Sequence, residues 1–256
     1  MARTVLITGS TSGIGYSIAL AFAREGYNLM FHGLETNGAE IAEKTGSEYN
    51  VKTSFSNANL MHTGEIQELI DTTVQKFNTV DILINNAGIQ HVSPIRDFPL
   101  EKWNSIIAVN LTAAFVASKS AWNEMQKNKF GRIINISSVH GLRASEYKSA
   151  YVSAKHGIIG LTKVLGLEGA NSNITCNAIC PGYVKTPLVE GQIKDQSEAH
   201  GLSEEEVVRE VMLKKQAVKE FIPEEKIAEL ALFLAAENAS AITGSSFTLD
   251  GGWTSK

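Results

Sequence analysis

Short runs rich in β-branched residues alternate along this chain with longer stretches whose apolar residues recur at helical spacing, and nothing else constrains the fold as strongly. A strand that must cross a helix before meeting the next strand pairs with it in parallel, and the helices then cover both faces of the sheet. The expected class is α/β, a single doubly wound domain over residues 1–256 with a mainly parallel seven-stranded sheet. Strands are expected from Thr4 to Thr8, Asn28 to His32, Lys52 to Phe55, Asp81 to Asn85, Gly131 to Ile136, Ile174 to Ile179 and Ser246 to Leu249. Helices fill the gaps. One begins near Gly13 and ends near Gly26, others cover Gly64 to Phe77 and Leu100 to Lys127, and a fourth runs from about Ser149 to Ala170. The small residues Ala150, Ala154, Gly157 and Gly160 on that last helix predict a closely packed helix partner.

Composition narrows the class of function. The formal net charge is −4, and no Lys/Arg cluster offers the basic footprint that nucleic acid or an anionic membrane requires, so small molecules are the expected partners. The N-terminal apolar run is too short for a signal segment or a membrane span, which predicts a cytoplasmic protein. Cys176 and Cys180 lie on one expected strand, where four residues span roughly 13 Å, too far for a disulfide. His32, His62, His91, His156 and His200 show no ligand spacing, so no metal is implied. Residues 186–221 turn polar and charged, with Ser203-Glu204-Glu205-Glu206 as a helix start, and read as a lid over a site.

The first strand leads into Thr8-Gly9-Ser10-Thr11-Ser12-Gly13-Ile14-Gly15 and then a helix. Glycines let the backbone turn tightly against a pyrophosphate, and the helix start offers unpaired N–H groups and partial positive charge. The turn therefore predicts a dinucleotide site at Gly9, Thr11, Ser12, Gly13, Ile14 and Gly15. Asn86, Ala87 and Gly88 follow the fourth strand, where a doubly wound sheet opens its crevice. The second strand ends at His32-Gly33-Leu34-Glu35 with no acid in the usual place for the ribose 2′-OH. No Arg or Lys stands at Ser12 or Leu34 to meet a 2′-phosphate either, so NAD is the expected cofactor, with Gly33 and Leu34 beside it.

Tyr151-Val152-Ser153-Ala154-Lys155 carries the chemistry. Residues four apart share a helix face, so the phenol and ammonium point into one site. A cation there, with a positive nicotinamide, favours the phenolate and makes Tyr151 a general base. Ser138, at the carboxyl end of the fifth strand, is placed to hydrogen-bond the reacting oxygen.

Together these strings resemble the short-chain dehydrogenase/reductase family along essentially the whole chain. The glycine spacing is that family's variant of the dinucleotide turn. The resemblance implies that Asn86, Ala87 and Gly88 wall the adenosine ribose and that Asn59 and Leu60 face the adenine, Asn59 standing where many relatives have Asp. It implies that Pro181, Gly182, Val184 and Thr186 line the nicotinamide, and that Asn110 anchors a water in a proton relay to Lys155. It also implies a homotetramer. Within the family, the strings Ala87 to Ile95, Ser138 to Leu142, Lys148 to Tyr151, Thr186 to Ile193 and Asp250 to Trp253 resemble the D-3-hydroxybutyrate dehydrogenases. That resemblance places Gln90, His140, Lys148, Gln192 and Trp253 with Ser138 and Tyr151 around a small hydroxy or keto acid. A lysine charge, directional Gln and His donors and an aromatic wall suit a carboxylate. Two alternatives use the same fold: a 3-oxoacyl carrier-protein reductase or other keto reductase, and a nucleotide-sensing binding module.

Overall fold

The computed structural model describes residues 2–186, 189–191, 193–194, 197 and 201–255. Seven strands, β1 (Thr4–Ile7), β2 (Asn28–His32), β3 (Thr53–Ser56), β4 (Ile82–Asn85), β5 (Gly131–Ile136), β6 (Ile174–Pro181) and β7 (Ser246–Leu249), form one sheet in the order β3-β2-β1-β4-β5-β6-β7. Every pairing is parallel. The strand ends shift by a residue or two from the sequence expectation. The largest shift is in β6, which keeps its ladder with β7 as far as Pro181.

Alternation along the strands divides the interior. Val5, Ile7, Ile82 and Ile84 point to one face, against Ile18 and Phe22 of α1 (Gly13–Arg24) and Ile227 and Leu234 of a late helix (Glu224–Ala235). Leu6 and Leu83 point the other way, onto Leu69 and Ile70 of α3 (Thr63–Phe77) and Ala117 and Met125 of α5 (Ala113–Lys127). These strand residues are at most 1% exposed, and each large side chain so buried contributes roughly 1.5–3 kcal/mol. A further helix, α2 (Gly38–Tyr49), packs on β3. The chain order reverses between β1 and β4, and there the strand ends open a crevice.

The stretch expected as one helix from Leu100 to Lys127 is interrupted. Helix α4 (Leu100–Ile107) passes through a π-helical turn (Ala108–Thr112) into α5. Asn110 sits in the wide turn with its amide on the backbone of Ile89, its Oδ1 accepting the N–H at 2.8 Å and its Nδ2 donating to the carbonyl at 2.9 Å. By length and hydropathy Leu100–Lys127 is apolar enough to cross a membrane, yet it packs inside the domain against α3 and α6 (Ser149–Gly169). The helix partner expected for α6 lies in the same chain for three of the four small residues. Ala150 and Ala154 are fully buried and a side chain at Gly157 would strike Leu111, whereas Gly160 faces open space.

Both cysteines are free and buried on β6. The acidic helix start is present as a capping box, in which Ser203 and Glu206 satisfy each other's backbone N–H groups before the chain enters a π turn (Val207–Met212) and a tight turn (Leu213–Lys215). Val189, Val207 and Met212 bury one another here, with Tyr183, Leu202 and Phe221 around them, as a small core separate from those on the sheet.

Candidate active site

A cavity of about 450 Å³ runs across the carboxyl ends of the strands. Its near end is the glycine turn. Gly9 adopts φ +63°, and a side chain at Gly15 would lie 2.0 Å from the Gly9 carbonyl oxygen, so the turn closes only because that position is glycine. Ser12 stands at the N-cap of α1 without making a side-chain cap, and no acid occupies the first turn. The amides of this helix start are left for another acceptor, the condition for binding a pyrophosphate. Thr8 and Asn86 brace the turn. Thr8 Oγ1 accepts the N–H groups of Asn86 and Ala87, and Asn86 Nδ2 donates to the carbonyls of Thr8 and Gly9 at 2.9 Å. The side chain of Asn86 thus serves as a strut, and the residue lines the cavity with Ala87 and Gly88.

His32 forms a second strut. Its Nδ1 accepts the N–H of Gly9 at 3.1 Å, which leaves the proton on Nε2 to be donated to the carbonyl of Ala58 at 2.8 Å. Burial holds its pKa below the ordinary 6.5, and the neutral ring ties the glycine turn to the loop after β3. On that loop Asn59 Oδ1 accepts the N–H of Met61, so the amide expected at the adenine is partly used at home; Leu60 and the half-exposed Met61 also line the cavity.

No acid stands in the usual place at the end of β2, but Glu35, two residues past Gly33, reaches this end of the cavity. Its carboxylate turns back into the cavity and accepts the Thr11 hydroxyl at 2.5 Å. A side chain at Gly33 would fall 2.4 Å from that carboxylate, so Gly33 makes the room. Leu34, 67% exposed, presents an apolar side chain beside it.

The middle of the cavity holds Ser138, Tyr151 and Lys155. Tyr151 and Lys155 share a face of α6, with the ammonium 5.6 Å from the phenol ring centre. Lys155 Nζ donates to the carbonyl of Ile136 at 2.8 Å, and burial pushes its pKa down to about 8. Ser138 hydrogen-bonds Tyr151, yet burial outweighs that contact and pushes the phenol up to about 12. The lysine alone does not bring the phenol toward working pH; the positive ring of an oxidised nicotinamide is the remaining source of that shift. Asn110 spends its amide on Ile89, so any water it anchors must use its backbone. A cavity of about 10 Å³ between Asn110 and Lys155, also lined by Thr8 and Asn85, has close to the room one water needs. Pro181, Gly182, Val184 and Thr186 line the wall on the β6 side.

At the far end stand Gln90, His140, Lys148 and Trp253. Gln192 lies outside the described residues. Lys148 and His140 are both buried. Desolvation, with the charge of Lys215, brings Lys148 down to about 8; desolvation and the charge of Lys148 bring His140 down to about 3. Among the described residues His140 Nε2 has no hydrogen-bond partner, while Nδ1 makes a 3.4 Å contact to the carbonyl of Arg143. Giving up that weak contact lets the neutral ring present Nε2–H to an acceptor in the cavity. Trp253 stacks on Tyr183 at 5.5 Å and 28°, and His140 meets the indole edge-on at 5.5 Å. Tyr183 and Glu35 line the cavity without having been singled out from the sequence, and Lys215 lies just outside its wall, against Trp253. Tyr183 carried the one usable signal, an aromatic residue directly after Pro181-Gly182.

A dinucleotide turn at the first strand, a Ser/Tyr/Lys cluster over the fifth strand and sixth helix, and one cavity joining them define an oxidoreductase that works through a nicotinamide. The chain belongs to the short chain dehydrogenase family, whose pattern it matches over residues 3–197. It is 48% identical to a D-beta-hydroxybutyrate dehydrogenase of Rhizobium meliloti, with all of both chains covered. It is 44% identical to one of Cupriavidus necator, covering 99% of this chain and 98% of that one. Among solved structures, an actinorhodin polyketide ketoreductase with NADPH is similar, with a TM-score of 0.94 at 30% identity over 100% of this chain and 98% of that one.

Proposed function

We propose that this protein catalyses the NAD-dependent, reversible oxidation of (R)-3-hydroxybutyrate to acetoacetate. The observation that carries the reading is the buried Lys148 ammonium and the buried His140 ring, whose Nε2 has no partner among the described residues, in the same cavity as Tyr151. A buried ammonium attracts a carboxylate brought into the cavity, and the same carboxylate supplies an acceptor for the imidazole. The two hydroxybutyrate dehydrogenases at 48% and 44% identity support the same substrate.

In the oxidative direction the Tyr151 phenolate takes the hydroxyl proton, Ser138 holds that oxygen, and the hydride from the same carbon passes to the nicotinamide, which supplies the redox chemistry. Lys155 keeps the phenolate stable and passes its proton toward the small cavity at Asn110. Gln90, Lys148, His140 and Gln192 hold the carboxylate, and Trp253 excludes water. For the cofactor, Gly9, Thr11 to Gly15, Gly33, Leu34, Asn59, Leu60 and Asn86 to Gly88 form the adenosine and pyrophosphate end. Glu35 supports NAD over NADP, because a carboxylate accepts from ribose hydroxyls and repels a 2′-phosphate.

Residues 186–221 act as the lid, and the small core of Val189, Val207 and Met212 within that range is separate from the cores on the sheet. Phe115 on α5 and Val164 and Leu167 on α6, all exposed, suit subunit contacts in a homotetramer. Free buried thiols fit the reducing cytoplasm. The similarity to a ketoreductase crystallised with NADPH favours one second reading, a keto reductase of larger substrates. Initial rates with NAD or NADP against (R)- and (S)-3-hydroxybutyrate and a longer 3-hydroxyacyl thioester decide. Preference for NAD with the (R)-acid is expected; turnover of the thioester with NADP alone would replace this reading with the second.

A further inference from the structure

The turn Leu213–Lys215 brings Lys215 over the outer face of the substrate end, its Nζ 5.4 Å from the centre of the Trp253 ring. Trp253 is stacked on Tyr183, and Lys148 Nζ lies 5.7 Å from the Tyr183 ring centre. Two cations thus bracket a pair of stacked aromatic rings, each within cation–π range of its nearer ring.

The placement of Lys215 is built into the backbone. Next to it, Gln216 is fully buried; its Oε1 accepts the N–H of Tyr183 at 3.1 Å, and its Nε2 donates to the carbonyls of Val218 and Glu220. Ala217 and Val218 both donate to the carbonyl of Gly251, two residues before Trp253. The Lys219 ammonium binds the carbonyls of Leu213, Lys214 and Gln216, which closes the turn from its other side. The turn is therefore pinned to the end of β6 and to the loop that carries Trp253.

Charge balance points the same way. Among the described residues no carboxylate pairs with Lys215. The nearby Asp250 carboxylate is engaged by the N–H groups of Gly252 and Thr254 and by the Thr254 hydroxyl. The groups that feel Lys215 are Lys148 and His140, both also depressed by burial. A positive charge held near a buried cation raises the energy of the protein alone and lowers it once an anion binds that buried cation from the cavity side.

We propose that Lys215 is a specificity-determining residue: with Lys148 it forms a two-cation clamp, joined through Tyr183 and Trp253, that selects substrates carrying a carboxylate. This rests on the hydroxy-acid reading and adds to it a residue outside the cavity wall. Lys215 is exposed, so its substitution leaves the core intact, and unchanged melting temperature is the control.

The test compares wild type, Lys215→Met and Lys215→Arg on 3-hydroxybutyrate and on its uncharged methyl ester. In Lys215→Met the KM for the acid is expected to rise on the order of three- to tenfold, with the ester far less affected, and Lys215→Arg is expected to restore the acid KM. The alkaline rise in acid KM that Lys148 sets near pH 8 is expected to move to higher pH in Lys215→Met, because a repelling neighbour has gone. Equal KM changes for acid and ester, or no change in either, would overturn the clamp while the hydroxy-acid reading stands. A wild type that takes the ester as readily as the acid would remove that reading and the clamp with it.

Discussion

The two ends of the cavity are built on opposite plans. At the nucleotide end the walls are backbone amides, glycines and neutral struts, and Glu35 is the charged residue lining it; at the substrate end the lining charge is the ammonium group of Lys148, set among aromatic rings, with that of Lys155 behind it in the middle of the cavity. The first plan fits a ligand that brings its own negative pyrophosphate and needs shape and dipoles. The second fits a small anion that needs full charges taken out of water. One end should therefore respond to substitution through cofactor affinity and choice, the other through substrate KM.

The contrast is sharpest at the point where the ends meet. Tyr151→Phe keeps the ring in place between the two ends but removes the proton acceptor, so kcat is expected to fall by roughly 10²–10⁴-fold while the cofactor dissociation constant, read by fluorescence of the reduced nicotinamide, stays near wild type. A large loss of nucleotide affinity would mean that the two ends are not separable as described. Normal biological activity in this variant would favour a nucleotide sensor.

Next in size is Lys148→Met. Removing a buried cation that faces the carboxylate is expected to raise substrate KM by about ten- to a hundredfold, with cofactor KM within about twofold. The wild type carries the same information in its pH profile. Because the Lys148 pKa is lowered to about 8, its charge is present below that pH and lost above it, so substrate KM should climb through pH 8. Lys155 titrates in the same range, but it acts on the proton transfer and so on kcat. A KM that stays flat to pH 9.5, about 1.5 units above that pKa, would break the assignment.

The same division explains what could be read before the fold was known. The glycine turn and the Tyr151/Lys155 spacing are local, a few residues whose geometry follows once they sit on a turn or a helix, and the cavity gathers both. The parallel sheet was legible for a related reason, since Val5, Leu6 and Ile7 alternate between two cores that both demand apolar side chains. Glu35 was not legible, because its carboxylate returns to the cavity only through Thr11 and the space that Gly33 leaves. Tyr183 and Lys215 meet Trp253 from 70 and 38 residues away respectively, by stacking that no local period encodes. The expected helix through Asn110 was right in extent but missed its π turn, since an amide's preference for the Ile89 backbone is a tertiary fact.

At the nucleotide end, Glu35→Gln keeps the size and most of the Thr11 contact while removing the charge. The ratio of kcat/KM for NAD to that for NADP is expected to fall by about tenfold, mainly through better use of NADP, because the repulsion of a 2′-phosphate has gone. An unchanged ratio would return cofactor choice to shape alone, with Leu34 the first place to look.

The smallest expected effect comes from His32, where a neutral ring is required. Its Nδ1 must keep a lone pair for Gly9, and Glu35 is the charged neighbour that favours the protonated form while burial opposes it more strongly. The folded pKa lies below 6.5, so the ring is neutral at pH 7 and the strut is intact; as pH falls through the depressed value, Nδ1 gains a proton and faces the Gly9 N–H donor to donor. Cofactor affinity should thus weaken by about two- to fivefold at the acid end, in line with the loss of one neutral hydrogen bond. His32→Asn can still accept from Gly9 but does not titrate, so its cofactor affinity should be flat over the same range, even though His140 goes on titrating at the other end. If wild type and His32→Asn weaken in parallel, the acid sensitivity belongs to the substrate end and the two plans are coupled after all.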